Sequence, residues 1–412
     1  MIHFNDLDKA EIERIFYIPP EPYGPTWDRN TLAHALGATL YMPAHRPRIA
    51  EDLITCKHKE LTSMVICLED AIGDEEVAEA EEALFAQLSQ LEQAWQTLSR
   101  EQKVGLPLIF LRLRSPEQFQ RIIERLWPSV VAGRCLLQGF VFPKFSQQNG
   151  SVYLQLLRQL NDSIRAQRAL SPLPFFYGMP ILETRDILYK ESRLDALVAL
   201  KALLLPYKDM ILNIRIGATD FCSLFGIRRS PDLTLYDIAP LQDCIGDIVN
   251  LFGRIDDSYV ISGPVWEYFP SDNRVLKPKL REAPFERYGH RGLAFRQQLI
   301  SRYIDGLIRE ILFDQANGLC GKTVIHPSHI RPVNALQAVT YEEYCDATTI
   351  ISNNNGKVGV LKSSFQNKMN EIKPHLTWAQ KILTRARIYG VLNESYDFTI
   401  LLGTERHVTS ST

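Results

Sequence analysis

The sequence predicts an α/β protein, a (β/α)8 TIM barrel with an N-terminal arm and a C-terminal helical extension. Eight short apolar runs recur along the 412 residues, amphipathic helical patterns alternate with them, and most runs end in a functional polar group. Strand–helix–strand repetition implies parallel pairing through right-handed crossovers. Eight units favour closure over an open sheet, and no G-x-G-x-x-G follows the first run, which counts against a dinucleotide-binding sheet. A bare barrel needs about 250 residues. One barrel extended at both ends therefore fits the chain better than two equal domains. The division is residues 1–340 for the barrel with its arm, and 341–412 for a helical lid or oligomerisation extension.

Before Thr31, the proline-rich YIPPEPYGPTW suits an ordered surface arm more than a helix. The first four apolar runs are ATLYMPA (Ala38 to Ala44), SMVICLED (Ser63 to Asp70), LIFLRL (Leu108 to Leu113) and GFVFPK (Gly139 to Lys144). FFYGMPILE (Phe175 to Glu183), ILNIRIGATD (Ile211 to Asp220), YVISGPV (Tyr259 to Val265) and GKTVIHP (Gly321 to Pro327) follow. Between the second and third, Val77, Leu84, Leu88, Leu91 and Trp95 recur at helical intervals, with the acidic positions on a solvated face. PEQFQRIIERLW and YLQLLRQLNDSIRAQ are amphipathic too. A surface insertion from about Tyr268 to Arg291 precedes the last barrel helix, GLAFRQQLISRYIDGLIREILFDQA. Beyond Tyr341, helices are interrupted by the polar hinge SNNNGK (Ser352 to Lys357), and the amphipathic HLTWAQKILTRARIYGVL has to dock on something.

A net charge of −2 gives no electrostatic reason to expect nucleic acid or an anionic membrane as partner. The seven cysteines are scattered and never form C-x-x-C, so they read as reduced thiols. The start, MIHFNDLDKAEIERIF, lacks the apolar core of a signal peptide, and no apolar stretch approaches the ~20 residues of a membrane span. The expectation is a soluble cytoplasmic protein.

In a parallel barrel the strand C-termini converge on one face, so the polar tails Glu69, Asp70, Arg112, Lys144, Glu183, Asp220 and His326 would meet around one pocket. Glu183 and Asp220 close consecutive runs. Two hard oxygen ligands with room for water and a chelating substrate is how Mg²⁺ is held, and a divalent ion there polarises a 2-oxo acid carbonyl. The alternative is that either carboxylate caps a helix or pairs with Arg185 or Arg215. Arg112 is placed to grip a carboxylate or stabilise an oxyanion, or to pair with Glu69 or Asp70. Arg114 carries less weight. Lys322, at the opposite end of its strand, reads as structural, His326 as a wall residue more than a ligand contact, and Cys67 as packing. The basic stretch from Ala44 to Lys59 fits a phosphate site or an ordinary surface helix equally well.

These motifs resemble the citrate lyase β-subunit-like family, Mg²⁺-dependent acyl-CoA carbon–carbon lyases built on a β/α barrel. The likeness runs from about Leu40 to Tyr389. LYMPAHRP is similar to the family's L-F-V-P-G-x-x-P opening, VICLEDAI to D-L-E-D-A-V, and FLRLRSP to the R-V-N segment. GFVFPK, PILET and IGATDFCSLFGIRRS resemble the fourth, fifth and sixth strand motifs, and GKTVIHPSHI resembles G-K-x-x-I-H-P-x-Q-I. The resemblance implies Glu183 and Asp220 as Mg²⁺ ligands, Arg112 on the substrate carboxylate or enolate oxygen, and Glu69 and Asp70 organising the pocket. It implies Arg46 and Arg48 as Coenzyme A contacts, and a trimer or hexamer in which a C-terminal lid reaches a neighbouring site. The lid motif M-x-D-x-P is most similar to KMNEIKPH, with Glu371 or Asn370 in place of the acid and one residue added, which offers Glu371 as the proton-moving acid. Cys67 departs from the first Asp of D-L-E-D, and Val77 and Glu81 replace basic residues. The chain thus looks like a divergent branch, such as the barrel-fold C–C bond lyases of tellurium-resistance-type biosynthetic gene clusters. The implied activity is a Mg²⁺-dependent lyase or aldolase acting on a 2-oxo acid or its acyl-CoA aldol adduct. The alternatives are an aldolase that uses no Coenzyme A, and a binding protein that kept the metal pocket but lost turnover.

Overall fold

The computed structural model describes residues 1–25, 27–167, 175–269 and 302–402. Its strands are β1 (Phe16–Ile18), β2 (Ala38–Pro43), β3 (Ser63–Cys67), β4 (Leu108–Arg112), β5 (Leu137–Phe142) and β6 (Tyr177–Leu182). They continue with β7 (Arg215–Ile216), β8 (Lys322–Val324), β9 (Val360–Lys362), β10 (Met369–Glu371) and β11 (Val391–Leu392). One parallel sheet runs β7-β6-β5-β4-β3-β2-β8. The seventh apolar run, Tyr259 to Val265, closes it into a ring by isolated bridges, Ile214 to Ile261 on one edge and Gly263 to Lys322 on the other. The amide of Ile214 donates to Val260 O at 2.9 Å and that of Gly263 to Gly321 O at 3.0 Å. Pro264 follows at once and has no amide to extend a ladder, so this eighth member is a bridge rather than a full strand.

Side chains alternate across each strand. Val65, Leu108, Phe110, Val141, Met179, Ile181, Leu212 and Val260 fill the barrel. Met64, Ile66, Ile109, Leu111, Phe140 and Phe142 face outward, in one cluster with apolar residues of helices Val77–Trp95, Pro116–Val131, Gln147–Gln167, Lys190–Leu204 and Ala239–Phe252. Lys322 also lies outside the barrel, fully buried and paired with Glu310 at 2.9 Å and Asp314 at 2.7 Å, so its place is structural.

The proline-rich stretch of the N-terminal arm is mostly exposed, as expected of a surface segment. It is irregular, but short helices Lys9–Ile15 and Arg29–Ala35 flank it. Phe4, Phe16, Tyr23, Leu32 and Leu36 join the cluster of barrel-filling side chains together with Ile388 and Tyr389. The arm is therefore a plug, driven by the apolar surface that an open N-terminal mouth would leave wet. β1 pairs antiparallel with β11, and Tyr389 Oη donates to His34 O at 2.7 Å.

Helices Tyr341–Ser352 and Ile372–Tyr389 pack around Val339, Ala347, Ile350, Ala379 and Ile382. The second is the amphipathic segment that had to dock. After Ser352 the chain turns through exposed polar residues as its composition suggested, then forms an unexpected hairpin of β9 and β10. Asp346 holds that hairpin, accepting from Ser363 Oγ at 2.8 Å and Asn370 Nδ2 at 2.7 Å. The insertion expected from about Tyr268 to Arg291 lies, from residue 270, outside the described residues. The last barrel helix is described from Arg302 to Ala316. No helix among the described residues is long and apolar enough to cross a membrane.

Candidate active site

At the C-terminal end of the barrel the inward positions turn polar. A cleft of about 610 Å³ opens there, lined in part by Tyr41, Asp70, Arg112, Glu183, Arg215, Asp220 and Glu267. Glu69 and Asp70 leave β3 on a loop that Arg114 staples down through Leu68 O at 3.3 Å and Ile72 O at 2.8 Å. Arg114, given little weight from the sequence, takes this positioning role.

Arg112, the last residue of β4, is almost fully buried. Its Nη2 lies 2.7 Å from Glu69, 2.9 Å from Asp70 and 3.3 Å from Glu183, while its Nε finds no partner. Both readings of this residue meet here: it is placed in the cleft, and it is already paired. Burial works against the guanidinium's charge, but Glu183 and Glu69 outweigh it and raise its pKa.

Lys144 was noted only as a run's tail, and the structure makes it a bridge. Its φ of 46° lies in the left-handed region, a conformation that costs a non-glycine residue about 1–3 kcal/mol. That turn aims its amide at Glu183 Oε1, 2.6 Å away, and brings its Nζ onto Glu69 and, at 3.1 Å, Asp70. No sequence period signals such a turn.

Glu183 directly follows β6. Asp220 does not end a strand as its run suggested: β7 stops at Ile216, and Asp220 sits in the first turn of the helix Ala218–Ser223. Gly217 between them is needed for close approach, because a Cβ there would lie 2.1 Å from Glu183 Oε2. Burial, with the charge of Asp220 adding to it, pushes Glu183 up to about 8. Asp220 is raised by burial and by Asp70. Glu69 is raised by burial and its contact with Asp70. Burial would raise Asp70 too, but Glu69, Arg112 and Lys144 hold it down at about 2. Carboxylates whose environments push their affinities for protons apart are what acid–base and metal sites are built from.

Among the described residues no three His, Cys, Asp or Glu side chains converge as a metal cage. Mg²⁺ needs none, since it keeps several waters and takes one or two carboxylates. The like-charged Glu183 and Asp220, each with a raised pKa, are a donor set that a divalent cation would relieve.

Other expected residues stand apart. Arg46 and Arg48 are on the loop after β2, paired with Asp52 at 3.4 Å and Glu51 at 3.6 Å. His326 bonds Ser328 at 2.8 Å, stacks on Phe269 and does not line the cleft. Glu371 is exposed at the end of β10 and does not line the cleft of its own chain. Cys67 is buried and lines it. Arg215 was weighed only as a counter-ion for Glu183 or Asp220; it pairs with neither and lies buried in the cleft wall.

No curated protein sequence matches the chain significantly. Among solved structures it is similar to CitE of Mycobacterium tuberculosis in complex with magnesium, acetoacetate and Coenzyme A, at 16% identity over 85% of this chain and 97% of that one, with a TM-score of 0.48. The citrate lyase β subunit of the same organism, complexed with oxaloacetate and magnesium, matches at 15% over 73% and 96%, TM-score 0.40. Malate synthase of Haloferax volcanii, native at 3 mM glyoxylate, matches at 12% over 72% of both chains, TM-score 0.46. The model of a family of C–C bond lyases of the TIM-barrel fold matches residues 30–391. With its strand-end carboxylates gathered at one mouth of a closed parallel barrel, the chain belongs to that TIM-barrel family of carbon–carbon bond lyases.

Proposed function

We propose that the protein is a Mg²⁺-dependent carbon–carbon lyase or aldolase whose substrate is a 2-oxo acid or its aldol adduct. The observation that carries the reading is the Glu183–Asp220 pair, two acid groups with raised pKa at the mouth of the barrel beside a buried cation. Glu183 and Asp220 would hold the metal, which when bound polarises the substrate's 2-oxo group and stabilises enolate charge. Arg112 and Lys144 fix Glu69, Asp70 and Glu183 in place, and the Arg112 guanidinium, in the cleft lining, is placed to stabilise charge developing on the enolate oxygen. Glu371 acts from a neighbouring copy in a trimer or hexamer and moves the proton, since in its own chain it stands outside the cleft lining. Arg46 and Arg48, on the loop after β2, would meet the nucleotide of a Coenzyme A thioester. A reading without Coenzyme A is favoured by one feature: both arginines already have an acidic partner on the helix Ile49–Ile54 that follows.

Calorimetric titration with glyoxylate or oxaloacetate, with and without Mg²⁺, tests the reading. Binding should require Mg²⁺ and fall at least tenfold in Asp220→Asn. Binding that ignores the metal would sink it. Coenzyme A titrated alone decides the thioester question: heat in the wild type that is lost in Arg46→Ala/Arg48→Ala supports it, and no heat supports the free-acid aldolase.

Gly217→Ala should reduce turnover about 100-fold, because the added methyl displaces Glu183 by an ångström or more. Circular dichroism should be unchanged. Retained turnover would show that the position of Glu183 is immaterial.

A further inference from the structure

We infer that Arg215 forms an anion subsite in the wall of the cleft, distinct from Arg112, which receives a carboxylate of the bound acid. The inference rests on the proposed oxo-acid reading for the identity of the ligand, though not for the existence of the subsite.

Arg215 is only 1% exposed, yet it lines the cleft. Its Nη1 donates to Thr323 Oγ1 at 2.9 Å and its Nη2 to Thr39 Oγ1 at 2.8 Å. The ring of Tyr41 lies 5.6 Å from its guanidinium carbon. A guanidinium has five N–H groups; the threonines take two of them, the Tyr41 hydroxyl is a further neutral partner, and Nε has none. Among the described residues no carboxylate stands within ion-pair distance of it. Two residues earlier in the same run, Asn213 is buried with neither polar side-chain atom bonded.

The contrast with Arg112 is the core of the argument. Arg112 has three carboxylates on one nitrogen, whereas Arg215 meets only neutral hydroxyls, those of Thr39, Thr323 and Tyr41. Burial lowers the pKa of Arg215, opposed only by Tyr41. A buried cation without a counter-charge costs several kcal/mol, and an apolar residue of similar volume would fill the same space more stably. The two threonines, one from β2 and one from β8, fix the plane of the fork without neutralising it. A planar, oriented and uncompensated guanidinium at a cleft wall is the arrangement that takes a carboxylate by paired hydrogen bonds.

The test uses the full chain with Mg²⁺ and compares oxaloacetate with pyruvate, which lacks the second carboxylate. Wild type should bind oxaloacetate at least about 30-fold more tightly, the size expected for one charge-assisted carboxylate contact of about 2 kcal/mol. Arg215→Met should reduce that ratio to threefold or less and leave pyruvate affinity unchanged, with an unliganded Tm equal to wild type or higher. Arg215→Lys keeps the charge without the fork and carries the same comparison if the methionine variant fails to fold; its ratio should fall at least fivefold. A ratio preserved in the variant that folds overturns the subsite, as does equal binding of the two acids by wild type. If neither acid binds wild type, the oxo-acid reading fails by itself. Metal-free succinate then decides the subsite: a rise in wild-type Tm that is absent in the Arg215 variant sustains it, and an equal response in both overturns it.

Discussion

Arg112→Met is expected to destabilise the folded chain by about 3–5 kcal/mol, the range for removing one partner of a buried ion pair. The loss comes from what the guanidinium leaves behind. Glu69 and Glu183 are 5% and 4% exposed, and both lie within 3.3 Å of the same Nη2. Without it, Glu69 keeps only Lys144 and the Asp70 amide, and Glu183 keeps one amide hydrogen bond. Asp70 is half exposed and adds little, since water screens it. Activity should vanish in the same variant. Urea denaturation at pH 8 measures the stability loss, and Glu69→Gln in the Arg112→Met background should recover part of it by removing one orphaned charge. A loss below about 1 kcal/mol, the level of a solvent-exposed pair, would mean that the cluster is hydrated and that Arg112 is not its keystone.

How much of this cluster could be read in the sequence depends on where each residue stands in its run. Glu69, Asp70, Arg112 and Glu183 were visible because a charged side chain at the end of an apolar run breaks the pattern. Asp220 was visible for the same reason but misplaced locally: Gly217 ends the strand, and a helical turn carries the carboxylate. Arg215 was not legible as a ligand group, because it lies inside ILNIRIGATD and a sequence does not say which face of a two-residue strand looks inward. Lys144 depends on a left-handed turn, which only glycine announces. The barrel itself followed from eight apolar runs, including the one that closes the ring by bridges alone. The proline-rich stretch was legible as irregular surface chain, but the plug around it was not, because proline does not say what its neighbours bury; Phe4, Phe16 and Tyr23 do. The hairpin of β9 and β10 has three residues per strand, too few to show a period of two.

The metal-free protein should become less stable as pH rises from about 6.5 to about 8, and Glu183 is the group responsible. Burial and the charge of Asp220 raise its pKa from 4.5 to about 8 in the folded chain. Within that window the folded state holds a proton that the unfolded state has released, so unfolding free energy falls as pH rises and levels off above 8. At about 1.4 kcal/mol per pKa unit the full effect is a few kcal/mol, reduced because Asp220 and Glu69 share the proton with Glu183. Other groups titrate nearby. Asp314, raised to about 6 by burial, works in the same direction. His3 and His329, lowered by burial to about 3 and about 4, work in the opposite direction below pH 6.5. Asp70, held at about 2, adds stability that is lost only as pH falls towards that value, and the Met1 amino group, lowered from 8.0 by partial burial, opposes Glu183 below pH 8 by a smaller shift. Between pH 6.5 and 8 Glu183 therefore dominates, and Glu183→Gln should flatten the wild-type decline there by carrying a permanent neutral group. Under the proposed metal assignment the same proton competes with Mg²⁺, so affinity for the ion should rise through this range, by at most about tenfold per pH unit. Parallel pH profiles for wild type and Glu183→Gln would place the buried proton elsewhere, and with it the residue that gives way to the metal.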